Sequence, residues 1–560
     1  MNAVLPAAKF HLSRLADMEM DRTPVESWWQ DVAEYVVPRK SFITEDSWID
    51  DSRFQHLHDT TAIDACQTLA NGHSSFISPA DQRWFTFSAP DHVRTDEHEE
   101  WYRTCSLILA TEMAACNAYT VFDETYLDRS AFGLGSYSVW PGKRNALNYR
   151  VHPINSYTLE ENDEGYVDEM GFTMELGILQ ISQMFGVEVL SKSPKLADAY
   201  KAFTMSGKNT KHVICHHVWP RRDDERTPGS MEGKDLPYGS IYICKEGETI
   251  ISESGFTEFP YTCSRYLKHA GRGNQYGFSP SWRAMPSIKS ANFLQKVMDL
   301  VAEKKAVPSV LVPDYLEGDV DLRAGGITMF AASRVKGSYG LPQEWGNQGS
   351  YDVGKDRIEQ KHEDINRAYH VDLFRMFAEM ERAAQMTARE VAERSSEKLI
   401  QFSPSFTRYS ADSQTGMRRA FSILLRTGAF PPPPQGLIYM DEKTGRPNVP
   451  DPKVLYQSKI ALAIQQLSNA GIDKMLERAM AMAQAGVPDA FDNINPDQVV
   501  RIQARNDGVP EEVLRNPKEV AMIREQRAEA QRQQMELEQA EMASKAAGNV
   551  GIKADQAPAQ

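Results

Sequence analysis

Apolar residues recur at spacings of three and four over two long stretches of this chain, and an irregular stretch separates them. After Pro286, Ile288, Ala291, Leu294, Met298 and Val301 fall on one face, so SIKSANFLQKVMDLVAEKKA reads as an amphipathic helix that Pro308 stops. A second helix starts after Gly354 as KDRIEQKHEDINRAYHVDLFRMFAEM. The intervening stretch carries Pro313, Gly318, Gly325, Gly326, Gly337, Gly340, Pro342, Gly346 and Gly349, which lets neither helix continue. At a rise of ~1.5 Å per residue each helix spans roughly 30 Å or slightly more. An out-and-back pair of such helices around a small folded tip suits a subunit that lends one hairpin to a shared ring or tube.

The same periodicities place the other elements. Residues 1–35 read as a helix with Trp28, Trp29, Val32, Tyr35 and Val36 grouped before Pro38. A polar stretch follows to about Asp59. From Thr60 a helix buries Ala62, Ile63, Cys66, Leu69 and Ala70 and ends at Ser78-Pro79; RWFTFSAP is then a short strand. Residues 94–120 form a helix, and TVFDETYLDRSAFG another that ends at Gly133. From Gly135 to about Arg265 alternating segments separated by turn residues predict a mostly antiparallel β-region, with helices near 177–185 and 191–203. Past the hairpin, Thr387 and Glu390 form a capping box that opens one helix. SADSQTGMRRAFSILLRTG is a further helix, closed by Gly428 and Pro431 to Pro434. Helices at about 453–485 and 496–505 precede a charged, Gln- and Ala-rich C-terminal helix with a weak apolar stripe, which reads as a partner-packed helix or a partly disordered tail. The fold class expected is α+β, mainly helical.

Composition narrows the chemistry. The 560 residues carry a formal charge of −15, which argues against a simple nucleic-acid coat but does not exclude a channel that nucleic acid passes without sticking, because acidic walls repel phosphates. No run of eighteen apolar residues is present, so no membrane partner is expected. The six Cys lack CxxC spacing and read as reduced thiols in an intracellular protein rather than zinc ligands. Gly133-Leu-Gly135 follows a helix and precedes a strand, the reverse of a dinucleotide fingerprint. His212, Cys215, His216 and His217 lie on one strand, where alternate residues face opposite ways. At most Cys215 and His217 share a face, two ligands where zinc takes four. Residues 271–277, GRGNQYG, are Gly-rich, but GxxxxGK[ST], GxSxG and HExxH are all missing. No catalytic residue, metal or cofactor is assigned. Basic residues remain: Lys289, Lys296, Lys304 and Lys305 on the first long helix, Arg357, Lys361, Arg367 and Arg375 on the second, mixed with Glu359, Glu363, Asp364 and Asp372, and Arg382, Arg418 and Arg419 near helix ends beyond it. Singly these are ordinary helix surface, yet in a ring each would become a belt of charge.

Several segments, in order, resemble one family. Trp29, Tyr35 and Pro38, then LANGHSSFISPADQRWFTF (69–87), FGLGSYSVW (132–140) and RVHPINSY (150–157) are similar to the portal, or head-to-tail connecting, proteins of short-tailed T7-like bacteriophages. So are residues 271–308, QMTAREVAERSSEK (385–398) and RTGAFPPPP (426–434). The chain departs from the family pattern at Gly416, where relatives often carry Pro-Leu, and at Ser413, where an acidic residue is common.

The resemblance implies a closed homo-oligomeric ring, usually of twelve subunits, at one capsid vertex of the virion, assembled in the host cytoplasm. Residues 1–280 would be the wing, β-rich over 135–265. Residues 281–306 and 353–379 would be the stem helices, and 307–352 the clip. Residues 380–435 would hold the tunnel-loop region and wing helices, and 436–560 the crown and tail. Double-stranded DNA would pass through the channel during packaging and ejection. The terminase large subunit and then tail adaptor proteins would dock on the clip, and scaffold, capsid and internal core proteins would meet other faces. Channel-lining candidates are Lys289, Lys296, Lys304, Arg367, Arg375, Arg382, Gln385, Arg389, Arg418 and Arg419; Arg419 aligns best with the family's helix Arg and is the candidate for a constriction ring. Clip docking candidates are Asp314, Tyr315, Glu317, Arg334, Lys336, Tyr339 and Trp345. Two other classes compete: a structural or scaffold-binding virion protein with no DNA channel, and an enzyme using scattered His and acidic residues.

Overall fold

The computed structural model describes residues 7–40, 43–44, 55–227, 230, 232–268, 274–306, 310–311, 343–344, 351–382, 388–440, 447–457, 472, 474–482, 494–506, 515 and 517–554. They form two units, Met1–Ile464 and Gln465–Gln560. Helices predominate, with antiparallel sheets among them. Among the described residues no single helix is long and apolar enough to cross a membrane.

The first unit opens with α1 (Ala7–Tyr35), α2 (Thr61–Phe76), β1 (Phe85–Ser88), α3 (Asp96–Ala115) and α4 (Ala118–Phe132). The sequence runs almost continuously from α3 into α4, but the chain bends by 81° between them. Asn117 holds the corner: its Nδ2 donates to the Tyr149 carbonyl at 2.7 Å and its Oδ1 accepts from the Tyr149 amide at 2.9 Å. Helix α4 ends at Gly133, whose φ of +89° favours glycine, and a Cβ there would come within 2.9 Å of the Phe278 carbonyl carbon. The Gly133-Leu-Gly135 pair is therefore a helix-to-strand turn.

Strands β2 (Leu134–Pro141), β3 (Leu147–His152), β4 (Tyr157–Glu161) and β5 (Val167–Gly177) follow. Short helices α5 (Ile178–Phe185), α6 (Val187–Leu190) and α7 (Pro194–Ser206) then precede β6 (Lys211–Pro220), β7 (Tyr238–Cys244), β8 (Thr249–Phe256) and β9 (Tyr261–Arg265). Strands β4 to β8 form a five-stranded antiparallel meander in sequence order, and β2 is the centre of a three-stranded sheet between β3 and β9. On the meander, Ile178, Ile181, Leu190 and Leu196 pack with Ile214, Cys244 and Ile251, so α5 to α7 cover one part of it. Helix α1 lies on the other face of β6, with Leu15 and Met18 against Cys215.

The histidines of β6 serve this packing. His217 meets His11 of α1, Nδ1 to Nδ1, at 3.0 Å, and its Nε2 lies 2.9 Å from Glu169 Oε1. Arg14 donates to both oxygens of Glu169 at 2.9 and 2.7 Å. On the opposite face His216 stacks on Tyr242 with ring centroids 3.9 Å apart. Among the described residues no group of three side chains is placed to hold a metal ion.

Burial, then the neighbouring His217, lowers His11 to about 4, and burial lowers His216 and His152 to about 3. An unfolded histidine takes up its proton near pH ~6.5 while these folded ones stay neutral. Their contribution to stability is therefore complete above about pH 6.5 and is lost progressively as pH falls toward 4 and below. The melting temperature is expected to fall from pH 7 to pH 5, and His11→Asn to flatten that slope. A melting temperature constant over the range would contradict buried neutral histidines.

Helices α8 (Pro280–Ala306), α9 (Tyr351–Ala368) and α10 (Val371–Arg382) come next, with β10 (Val310–Leu311) and β11 (Gln343–Glu344) paired antiparallel between α8 and α9. The second long helix expected from 354 onward is broken: His370, with φ of 55°, separates α9 from α10. The buried Tyr369 before it donates from its hydroxyl to Ser281 Oγ at 2.7 Å.

Helix α11 (Ala388–Thr427) replaces the two helices expected there and runs through Pro404. Buried bonds fix it beyond that proline. Arg129 Nη2 donates to the carbonyl and hydroxyl of Ser405 at 2.7 and 3.0 Å, Tyr126 to Tyr409 at 2.7 Å, and the Arg265 amide to Asp412 at 2.9 Å. The two departures from the family pattern have local reasons. Ser413 Oγ lies 2.6 Å from the Tyr456 hydroxyl, and a Cβ at Gly416 would fall 2.5 Å from Tyr137 Oη and 2.6 Å from Thr262 Oγ1. Gly416→Leu is therefore expected to cost at least the ~1–3 kcal/mol typical of overpacking, read as a drop in melting temperature.

The unit closes with β12 (Tyr439–Met440), β13 (Pro447–Asn448) and β14 (Lys453–Tyr456). Residues 453–456, expected to begin a helix, instead pair antiparallel with β1, Phe85 opposite Tyr456 and Ser88 opposite Lys453. The second unit contains α12 (Pro496–Asn506) and α13 (Pro517–Ala554).

Candidate functional site: a helical hairpin with two apolar faces

Helix α8 has two apolar faces. One holds Ile288, Ala291 and Met298, which are buried, and packs against α9 with its buried Ile358 and Ile365. A Cβ at Gly354 of α9 would come 2.3 Å from Met298 Sδ, so glycine lets the helices approach there. The other face carries Phe293, Val297 and Leu300 at spacings of four and three, and leaves them 64, 37 and 49% exposed. Lys296 and Lys304, both exposed, border that stripe, while exposed Asp356, Glu359 and Glu363 stand on α9.

The hairpin base is tied to the rest of the unit. Asn292 Oδ1 accepts from the amides of His58 and Asp59 at 2.6 and 3.2 Å, and its Nδ2 donates to the His56 carbonyl at 2.8 Å. Asp59 reaches across to His362 of α9, Oδ2 to Nε2, at 3.1 Å. The strap at residues 56–59 thus clasps both helices.

The sequence-derived channel candidates fall in different places. Lys289 is engaged within the subunit, 2.8 Å from Asp31 and over the ring of Tyr35. Arg367 is exposed beside Asp364 at 4.0 Å, and Arg375 is exposed on α10. Arg382 ends α10 and Arg389 lies in the first turn of α11, while Gln385 falls outside the described residues. So do all the clip candidates, Asp314, Tyr315, Glu317, Arg334, Lys336, Tyr339 and Trp345. Arg418 is exposed and donates to Gln414 at 3.4 Å.

Arg419 is a correction. It is 4% exposed, so a place on a channel wall does not fit it. Its Nε donates to the Val139 carbonyl at 2.8 Å, its Nη1 lies 3.4 Å from Glu258 Oε2, and its guanidinium covers the Trp140 and Phe256 rings. Burial lowers it to about 10, with Glu258 opposing that shift. Sequence reasoning singled out the charge and had no signal for the aromatic cage around it. It also missed the exposed stripe on α8, although Phe293, Val297 and Leu300 stood in the helix it had identified.

Known proteins resemble this chain over most of its length. The family model described as "Bacteriophage head to tail connecting protein" matches residues 9–514. The "Portal protein" of Salmonella phage epsilon15 is 27% identical over 526 residues, 92% of this chain and 90% of that protein. The "Probable portal protein" of Bordetella phage BPP-1 is 24% identical over 538 residues, 93% of this chain and 91% of that protein. A match extending over nearly the whole length leaves one assignment: the chain belongs to the bacteriophage head-to-tail connecting protein family.

Proposed function

We propose that this chain is the portal subunit of a short-tailed phage, twelve copies of which close into the DNA channel at one capsid vertex. The observation that carries the reading is the second apolar face of α8. Two faces on one helix suit a position between two others, α9 of its own subunit and a neighbouring copy. The border of Lys296 and Lys304 beside the stripe complements Asp356, Glu359 and Glu363 on α9, which favours α8 of one copy against α9 of the next. The portal names of the two relatives support the same role.

The work is mechanical. Twelve chains at −15 place about −180 of formal charge around the duplex, which keeps DNA from adhering. Belts of Arg367 or Arg375, which that joint leaves out, would grip it locally. Residues 307–352 would form the clip, with Asp314, Tyr315, Glu317, Arg334, Lys336, Tyr339 and Trp345 offered to the terminase large subunit and then to tail adaptors. The wing and crown would meet capsid, scaffold and internal core proteins in the virion. Electron microscopy of the purified protein tests the reading. Rings with countable lobes and a hole of ~20 Å or more, wide enough for duplex DNA, are expected; monomers, or rings without a hole, overturn it.

A further inference from the structure

The two halves of α1 are held differently. Val25, Trp29, Val32 and Ala33 join the main core, whereas the first half lies on an outer face of the meander. There Ala8 and Leu12 cover Ile241 and Ile243, and Leu15 and Met18 cover Cys215. Leu15 sits over Gly171, where any Cβ would run into its Cδ2. Pro24 stands inside the helix between the halves. It has no amide to give the Met20 carbonyl, so the helix ladder is interrupted at that point.

One buried cluster fastens the first half. Burial alone would raise Glu169, but hydrogen bonds from His217 and Arg14 outweigh it and hold the group at about 2, so its carboxylate only accepts. His217 therefore donates from Nε2, its Nδ1 is a bare acceptor, and the bond between the rings needs its proton on His11 Nδ1. That arrangement has room for one proton between the rings. A proton added to His217 Nδ1 would set two N–H groups head to head. One added to His11 makes a buried cation beside Trp219, whose ring centroid is 4.3 Å away and which already carries the Arg221 guanidinium at 5.5 Å. The carboxylates of the cluster, Glu169 and Glu160, are both paired with Arg14, toward which Asp17 also contributes. Near the two ends of this half Lys9 pairs with Glu248 at 3.3 Å and Glu19 accepts from Thr173 at 3.0 Å.

We propose that the first half of α1 is an acid-released strap. At neutral pH it lies closed over the meander. Protonation at the His11 and His217 pair swings it out about Pro24 and uncovers Cys215, Ile241 and Ile243, while the second half of α1 stays in the core. The device belongs to a single subunit and does not depend on the ring proposed above.

Cys215, buried under the strap, reports on it in the intact protein. A histidine on a free strap takes up its proton near pH ~6.5, while burial first and His217 second lower the docked His11 to about 4. Closure is therefore complete above pH 6.5 and weakens as pH falls, on the order of twentyfold between pH 7 and pH 5. The protein is treated at both pH values with dithiodipyridine, a thiol reagent that works in acid. Labelled cysteines are read by peptide mass spectrometry, each rate divided by that of glutathione at the same pH. Cys215 labelling is expected to rise on the order of twentyfold at pH 5, with Cys105 and Cys263 of the main core still protected. His11→Asn is expected to bring the ratio between the two pH values near one. Arg14→Gln loosens the strap without removing a titrating ring, so it is expected to label faster at both and to keep the ratio. Equal labelling of wild-type Cys215 at pH 7 and pH 5 overturns the strap. So does a parallel rise at Cys105 or Cys263, which would mean that the whole unit opens. A wild-type ratio in His11→Asn, or loss of the ratio in both variants, overturns the histidine pair as its trigger.

Discussion

Replacing Phe293 by Lys and Leu300 by Glu is expected to leave a folded subunit that no longer forms rings. The two side chains are 64 and 49% exposed in the single subunit, so the substitutions disturb little of its interior. Exposed positions of this kind usually shift stability by within about ±0.5 kcal/mol. Each joint of a ring, in contrast, would lose the burial of a Phe and a Leu, ~1.5–3 kcal/mol apiece, and gain two charges that need desolvation. Because every joint is identical, the loss repeats around the ring. Native mass spectrometry is expected to show monomers with an unchanged circular dichroism spectrum. Rings of normal size from this variant would remove the stripe as an interface. Lys289→Ala is the contrasting case: its pair with Asp31 is half exposed and worth only ~0–1 kcal/mol, so rings should persist.

The second large effect is expected at Arg419. Arg419→Met removes a buried cation and the donor it points at the Val139 carbonyl, while Glu258 keeps Arg426, which donates to its Oε1 and Oε2 at 2.5 and 3.1 Å. Breaking one side of a buried charged pair costs ~3–5 kcal/mol, and the solvent access of Glu258 places this case toward the lower end. The melting temperature of the first unit should fall markedly. Arg418→Met, one residue away and exposed, should melt like the parent. Equal, small effects at both positions would show that the guanidinium of Arg419 is not part of the interior. DNA packaging by Arg419→Met particles that still assemble should not be altered specifically, since the side chain faces protein rather than channel.

Sequence reading succeeds where burial imposes a period and stops where a single residue decides. The apolar spacing of Ile288, Ala291 and Met298 identified the packed face of α8, because a helix buried on one side must repeat near every 3.6 residues. Alternation identified the meander for the corresponding reason, with period two. The break at His370 left no mark, since a left-handed residue there is not glycine. Two separate helices are expected over the stretch where α11 runs unbroken, Pro404 included. Lys453–Tyr456 is too short for periodicity to separate strand from helix, and only its pairing with β1 decides it. Arg418 and Arg419 look alike as letters, and nothing local shows that one lies under Trp140 and Phe256.

The pairing of β1 with β14 has a consequence for how the protein is made. Strand β1 ends at Ser88, and among the described residues its ladder partner is β14, which begins at Lys453. At a synthesis rate of ~5–20 residues per second, Phe85 and Phe87 wait roughly 20 to 75 s after leaving the ribosome before their partner strand exists. Arg129, Tyr126 and Arg265 wait likewise for Ser405, Tyr409 and Asp412. The interior of the first unit therefore closes only near the end of translation. Until then these aromatic surfaces are open to chaperones, and the ring proposed above would form from released chains rather than nascent ones.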